Sequence, residues 1–375
     1  MNDFQTRIHT QLEAQKARGL NRQTRVVPEE WKDFTSNDYL GLARSEELRN
    51  AIHQFLSHAP GKRNGSGGSR LLSGNSLLAE EVERFVATIS AAESGLLFSS
   101  GYMANLGVLS CLPQRGDTVL YDEHAHASLK DGIRLSLADR YSFHHNDMDD
   151  LERKLTRSKG MAFIVAESVY SMDGDLCPLA DLVAVAQRHR AVVILDEAHA
   201  TGIFGENGGG LAPALGLEEE IPVRILTFGK AMGIHGACVC CPEPVRNFLV
   251  NFSRPFIYTT AMPDHSLAAI RCSFQYVNEH HELREKLQQK IDLFRQHCSV
   301  DTGSATPIQP VIIGGNENTR AAANVLQSRG FDVRPVLSPT VRPGTERLRI
   351  CLHVYNSDED IVELAEELNQ VVRLP

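Results

Sequence analysis

Long hydrophobic runs are missing from this chain of 375 residues. None approaches the ~18–20 consecutive apolar residues that span a bilayer, so no transmembrane helix is expected. The opening stretch, MNDFQTRIHTQLEAQKARG, also lacks the apolar segment of a secretory signal. Its Phe4, Ile8 and Leu12 recur at i, i+4 and i+8 instead, which predicts an amphipathic helix docked on the body of the protein. Positive charge is in the minority: 38 Lys and Arg against 47 Asp and Glu leave a net charge of −9 and a pI near 5.9. A nucleic-acid partner calls for a basic surface and is not expected. Cysteine is sparse and scattered, in a chain long enough to need no disulfide staples. The one cluster, Cys238, Cys240 and Cys241 in GACVCCPEP, has no second pair at zinc-ligand spacing. That favours a buried strand using cysteine as a small hydrophobe over a metal site. The expectation is a reduced, cytoplasmic protein without a metal. Internal repeats and low-complexity segments are missing too.

What the chain does have is alternation. From about residue 77, helix-like stretches such as SLLAEEVERFVATIS, with Leu78, Val82, Phe85 and Ile89 on one face, separate short apolar runs. The runs are GLLF (95–98), TVLY (118–121), AFIVAE (162–167), AVVILDEA (191–198), RILTF (224–228) and GACVCC (236–241). Near-continuous apolar strands between helices predict a mostly parallel sheet covered on both faces, an α/β architecture. After YTTAMPDH the texture changes to a long charged helical stretch over 264–299, then PIQPVII, the helical NTRAAANVLQSRG, the strands FDVRPV and RLRICL, and a last helix in SDEDIVELAEELNQVV. The chain therefore divides into an N-terminal arm (1–35), a large α/β domain (36–262) and a small α+β domain (263–375).

The segment VVILDEAHATG looks like a DEAH box, which would hold Mg²⁺ and water for NTP hydrolysis. That reading needs a phosphate loop G-x-x-x-x-G-K-[ST], and the chain has none. A second reading starts from Asp196 at the carboxyl end of a buried strand, where open α/β sheets bind ligands. A buried carboxylate there needs a cationic partner. Lys230 follows a later apolar strand, in LTFGKAMGIHGA, with interior-like sequence on both sides. An aspartate and a lysine so placed suit pyridoxal phosphate: the lysine forms an imine with the cofactor, and the aspartate keeps the pyridine nitrogen protonated. LLFSSGYMANLGVL reads as strand, Ser99-Ser100-Gly101, then helix, which offers free N–H groups to a phosphate. Tyr102 and Asn105 lie at the start of that helix, where Tyr102 alone would read as packing. His126 in YDEHAHASLKDG follows a strand and can stack on a pyridine; alone it would read as a loop residue. Glu167 and Ser171 in AESVYSMDGD follow another strand end. GSGGSRLLSGNS (65–76) suits close approach of a ligand to backbone, or simple flexibility.

SNDYLGL, GSGGSRLLSGNS, FSSGYMAN, HASL, SMDGD, LDEAHATG, TFGKAMG, YTTAMP and PTVRPGTERLRI occur together in this order over nearly the whole chain. The set resembles the α-oxoamine synthase family of fold-type I pyridoxal-phosphate enzymes. The resemblance implies an aspartate aminotransferase-like fold with a mostly parallel seven-stranded sheet in the large domain. It also implies pyridoxal 5′-phosphate as cofactor and a homodimer with shared active sites. By motif, Lys230 would carry the cofactor, Asp196 would pair with the ring nitrogen, and His199 with Ser171 would reach the phenolic oxygen. His126 would stack on the ring. Ser100, Gly101, Tyr102 and Thr227 would hold the phosphate side, approached by Thr259 or Thr260 of the neighbouring subunit. Asn37 and Arg349 would take the amino-acid carboxylate, for which a guanidinium fork is suited. Arg22, Arg70 and Thr340 are candidates for the acyl group, although Arg22 and Arg70 equally suit solvated charges. The implied activity is the condensation of an amino acid with an acyl thioester, on CoA or a carrier protein, with loss of CO₂. The wording of the motifs sits nearest the branch that joins L-alanine to a pimeloyl group. Glycine with acetyl-CoA or succinyl-CoA, serine with palmitoyl-CoA, and a medium-chain acyl signal synthase are the alternatives. The segment before SNDYLGL, RQTRVVPEEWKDFT, is shorter than the β excursion many relatives carry there.

Overall fold

Each of the six apolar runs becomes a strand in the computed structural model, which describes residues 2–58 and 64–372. Twelve strands occur among the described residues: β1 (Lys32–Asp33), β2 (Ser94–Phe98), β3 (Thr118–Asp122), β4 (Asp139–Phe143), β5 (Ala162–Glu167), β6 (Val192–Asp196), β7 (Val223–Thr227), β8 (Ala237–Cys241), β9 (Ile308–Ile312), β10 (Phe331–Asp332), β11 (Arg334–Val336) and β12 (Arg347–Cys351). Seven form one sheet in the order β2-β8-β7-β6-β5-β3-β4. Only β8 runs antiparallel to its neighbours, so β2 points the same way as β3 to β7. All of these strands but β8 therefore deliver their carboxyl ends to one edge.

The continuous apolar runs follow from burial on both faces. Val193 and Leu195 of β6 join one apolar cluster while Ile194 joins the other. The cysteines obey the same alternation: Cys238 and Cys240 pack on one side, Cys241 on the other, and all three are buried thiols. The seventh strand, β4, carries no apolar run, because DRYSF is an exposed edge with only Phe143 buried. Its position comes from pairing with β3.

A separate three-stranded antiparallel sheet has the order β11-β12-β9. The helices Asn316–Ser328 and Asp358–Val371 accompany it. The stretch over 264–299 is two helices, Asp264–Glu279 and Glu282–His297, interrupted at His280-His281. The arm departs from expectation. Asp3–Ala17 is helical, opened by an Asn2–Gln5 capping box, yet none of its residues is buried, with Phe4 70% and Leu12 50% exposed. Its apolar stripe is short, and the helix does not dock on its own chain. The following segment stays irregular until Lys32–Asp33 pairs in parallel with Phe331–Asp332. Among the described residues no helix is long and apolar enough to cross a membrane.

Candidate active site

The edge of strand ends gathers residues far apart in sequence. Asp196 closes β6 and is buried. Its Oδ2 accepts from Asn105 Nδ2 at 2.7 Å and its Oδ1 from the Ala198 N–H at 2.9 Å, so the carboxylate is oriented by two donors. Beside it in register, Glu167 closes β5 and takes the His126 N–H on Oε1 at 2.6 Å. Burial, and next the charge of Asp196, push the Glu167 carboxyl up to about 8. Lys230 sits in the turn after β7. Burial pulls its ammonium down to about 8, against the opposing pull of Asp196 and Glu167. This is the environment that turns a lysine into a nucleophile and a base near neutral pH.

Ser100 caps the helix Gly101–Leu109, its Oγ accepting from the Met103 N–H at 3.3 Å. A Cβ on Gly101 would lie 2.2 Å from Thr227 Oγ1, so the helix start and the end of β7 close on each other as only glycine allows. The result is a cradle of N–H groups and a hydroxyl, suited to an anion. Tyr102 is 45% exposed, and its hydroxyl donates to Asp131 Oδ2 at 2.5 Å.

On the opposite flank, Arg349 of β12 reaches out of the small sheet. Its Nε donates to the Ser171 carbonyl at 2.5 Å and its Nη2 to Asn37 Oδ1 at 2.9 Å. No carboxylate of the described residues takes this half-buried cation as an ion pair; its acceptors are neutral. Tyr39 donates to Asn37 Oδ1 at 3.1 Å and meets His199 Nδ1 at 2.8 Å. Burial, then the charges of Lys230 and Arg349, hold His199 well below the usual histidine range. The strand is anchored by Arg347, which pairs with Asp173 of the SMDGD loop.

The structure thus brings together Asp196, Glu167, His126, Lys230, His199, Asn37, Arg349, Ser171, Ser100, Gly101 and Thr227. Arg22 and Thr340 share a cleft of about 740 Å³ with Met172, the neighbour of Ser171. Arg70 stands apart. Its guanidinium grips Glu83 at 2.8 and 3.1 Å and donates to Asn75, so it is neither solvated nor free for an acyl group in this arrangement. Thr259 and Thr260 line a crevice with Arg70 and Ser99 of their own chain, tied to the glycine-rich loop by the Ala261 N–H to Gly68 carbonyl bond. Three residues gained no role from sequence: Asn105, Ser128 and Tyr39 all fall inside recognised motifs, but an amide and two hydroxyls carry no chemistry of their own that points to a site.

A reactive amine, an oriented carboxylate across from it, an anion cradle and an unpaired guanidinium define a class of protein. The chain belongs to the aminotransferase class I and II family, whose model matches residues 29–368. It is similar to the 8-amino-7-oxononanoate synthase of Emericella nidulans, 40% identical over 92% of this chain and 90% of that protein. Among solved structures it resembles 8-amino-7-oxononanoate synthase from Francisella tularensis, at 28% identity and TM-score 0.79, covering 92% of this chain and 99% of that one. A serine palmitoyltransferase from S. paucimobilis, solved with a PLP–myriocin aldimine, overlays with TM-score 0.88 at 28% identity, covering 98% and 96%. The residues present fit pyridoxal phosphate: Lys230 is a desolvated amine, Asp196 a carboxylate held by two N–H donors, and Gly101 with Thr227 forms a cradle for an anion.

Proposed function

We propose that the protein is a pyridoxal 5′-phosphate-dependent acyltransferase that condenses L-alanine with a pimeloyl thioester, releasing CO₂ and forming 8-amino-7-oxononanoate for biotin synthesis. The observation that carries the reading is Arg349, a half-buried guanidinium held by neutral acceptors beside Lys230 and Asp196. That is a seat for an amino acid's carboxylate next to a lysine base. The 40% identity to a synthase of this name supports alanine and a pimeloyl thioester as the substrates.

Bound pyridoxal phosphate supplies an electron sink for negative charge at the amino acid's α-carbon. Asp196 holds a proton at the ring nitrogen, and Asn105 with the Ala198 N–H keeps its carboxylate aimed. Arg349 and Asn37 fix the alanine carboxylate and so present the α-hydrogen. Lys230 Nζ, neutral at a mildly alkaline pH because it is desolvated, takes that proton. The net reaction would join the amino acid's α-carbon to the acyl carbonyl carbon and release the thiol and CO₂, with Lys230 holding the proton it takes and returning it to the product. His199 and Ser171 would hold the cofactor's phenolic oxygen. Arg22 and Thr340, on the cleft beside Met172, receive the acyl chain. The same reading has a cytoplasmic homodimer in which Thr259 or Thr260 reaches the neighbouring copy's phosphate, the large domain spanning 36–262 and the small one 263–375.

The test is thiol release with alanine, glycine and serine, each against acetyl, succinyl, pimeloyl, decanoyl and palmitoyl thioesters on CoA and on carrier protein. Alanine with pimeloyl is expected to turn over fastest. Each methylene buried in the acyl pocket contributes about 0.8 kcal/mol, so acetyl should fall behind by orders of magnitude. Glycine with a short acyl group winning would overturn the substrate assignment and leave the cofactor chemistry standing.

A further inference from the structure

We propose that Ser128 and Asn105 are positioning residues that lock His126 as the neutral Nε2–H tautomer, making it a hydrogen-bond donor to the reacting groups and not a base. The proposal rests on the reading above, in which the His126 ring faces the bound cofactor.

His126 is the N-cap of the helix Ala127–Leu135, and its Nδ1 accepts the backbone N–H of Ser128 at 3.2 Å. A backbone N–H cannot turn around to accept, so a hydrogen on Nδ1 would face another hydrogen. The Ser128 hydroxyl lies 2.7 Å from the same Nδ1. Its orientation is set from behind: Asn105 Nδ2 reaches Ser128 Oγ at 2.9 Å and Asp196 Oδ2 at 2.7 Å. The carboxylate of Asp196 only accepts, so Asn105 must present its NH₂ end, and both of its hydrogens are used. Ser128 Oγ accepts from Asn105, and because the Ser128 backbone N–H already requires a bare Nδ1, the hydroxyl hydrogen is the one that lies between Oγ and Nδ1. The donors run one way, Asn105 to Ser128 to His126, with Asp196 accepting at the head. Asn105 and Ser128 are both 1% exposed, so water offers no alternative partner.

With Nδ1 filled by two donors, the single hydrogen of a neutral ring sits on Nε2. Protonation to the cation would set a hydrogen on Nδ1 against the Ser128 backbone N–H and force the Ser128 hydroxyl to give up its donor role. The charges around the ring do not reverse this. Asp196 on β6 and Asp131 on its own helix favour the cation, Lys230 after β7 and Lys130 on its own helix oppose it, and burial opposes it most. Glu167 on β5 spends its Oε1 on the His126 backbone N–H. Proton removal from the substrate therefore falls to Lys230, while Nε2–H is available to a carboxylate or a developing oxyanion.

The experiment uses holoenzyme labelled with ¹⁵N-histidine, with His126 assigned by loss of its signals in His126→Gln. Between pH 6 and 8 the wild type is expected to show a protonated Nε2 and a bare, hydrogen-bonded Nδ1. Ser128→Ala deletes the hydroxyl donor, and the ring's protonation constant should rise about tenfold, the effect of one lost hydrogen bond to the neutral form. An acid limb in kcat should appear in that variant, and Ser128→Thr should restore the wild-type spectrum and profile. A wild-type ring carrying its hydrogen on Nδ1, or charged across this range, overturns the proposal without any variant. So does Ser128→Ala with unaltered nitrogen signals and midpoint. A protein with no cofactor absorption band would instead sink the functional reading, since the ring spectra report the tautomer independently of substrate.

Discussion

Replacing Arg349 tests whether a guanidinium with neutral surroundings is the seat of the substrate carboxylate. The guanidinium is held by the Ser171 carbonyl, Asn37 Oδ1 and the Cys351 sulfur, none of which carries negative charge in this setting. On the proposed reading a substrate carboxylate would be its counter-ion. Charge-assisted hydrogen bonds contribute about 1.5–3 kcal/mol each, and removing one partner of a buried pair costs about 3–5 kcal/mol. Arg349 is only half-buried, so about 3 kcal/mol is the expected loss, roughly 150-fold in kcat/KM for alanine at 1.36 kcal/mol per decade. Arg349→Ala should place most of that loss in KM, because the carboxylate is gripped from the first encounter. Arg349→Lys keeps the charge, loses the fork, and should recover part of the affinity. The assay pairs steady-state kinetics with spectral titration of alanine and of ethylamine, its analogue without a carboxylate. Wild type should favour alanine strongly, and Arg349→Ala should erase the preference. Since Arg349 also ties Ser171 and Asn37 together, urea melts and cofactor absorbance separate lost binding from lost structure. If Arg349→Ala retains its cofactor and still prefers alanine over ethylamine by the wild-type margin, the carboxylate seat is elsewhere.

Other parts of the site give sharper single readings. Gly101→Ala would put a Cβ 2.2 Å from Thr227 Oγ1, so the helix start must retreat; stability should fall by about 1–3 kcal/mol, and cofactor affinity, measured by fluorescence titration, by at least tenfold. With the Lys230 ammonium pulled down to about 8, the rate of cofactor uptake by the apoprotein should climb with pH and level off above about 8; a climb continuing to pH 10 would mean an ordinary lysine. His145 lies between Asp122 at 3.0 Å and Asp175 at 2.8 Å, and although burial opposes it these carboxylates push the ring up to about 10. A folded-state value above the unfolded one stabilises fully below about pH 6.5 and is lost as pH rises through about 10. His145→Gln should therefore cost about 2–3 kcal/mol at pH 6 and much less at pH 10; a gap that does not change with pH in urea melts would refute the charged bridge.

Much of the sheet was legible because strands buried on both faces write their burial directly into sequence. VVILD and ACVCC are apolar at successive positions, since Ile194 and Val239 face one layer while Leu195 and Cys240 face the other. Where one face or the whole strand meets solvent, that record disappears. DRYSF of β4 has a polar sequence and exists as a strand because β3 offers it an edge. The N-terminal arm failed the other way. Phe4, Ile8 and Leu12 suggested docking, but an i+4 repeat of three residues defines a stripe without saying what covers it, and the helix stands exposed.

The site divides along the same physical line. Charged residues with unusual surroundings, Asp196 and Lys230, stood out because each would be costly to bury without a purpose. The residues that aim them did not. Asn105 is a helix residue, Ser128 a helix-start serine and Tyr39 a core aromatic until the fold places their polar atoms within hydrogen-bond reach of Asp196, His126 and His199. Arg70 is the converse case, a glycine-loop arginine that reads as free until Glu83 is found beneath it. Burial then sorts the ionisable groups by task. Arg349 keeps its charge, with neutral acceptors around it. Asp196 is held by two N–H donors. Between these two, desolvation moves Lys230, Glu167, His126 and His199 toward their neutral forms. An anchored cation and an anchored carboxylate are thereby set among desolvated groups that can pass or hold a proton near neutral pH without first shedding a shell of water, which is the arrangement the proposed reaction requires.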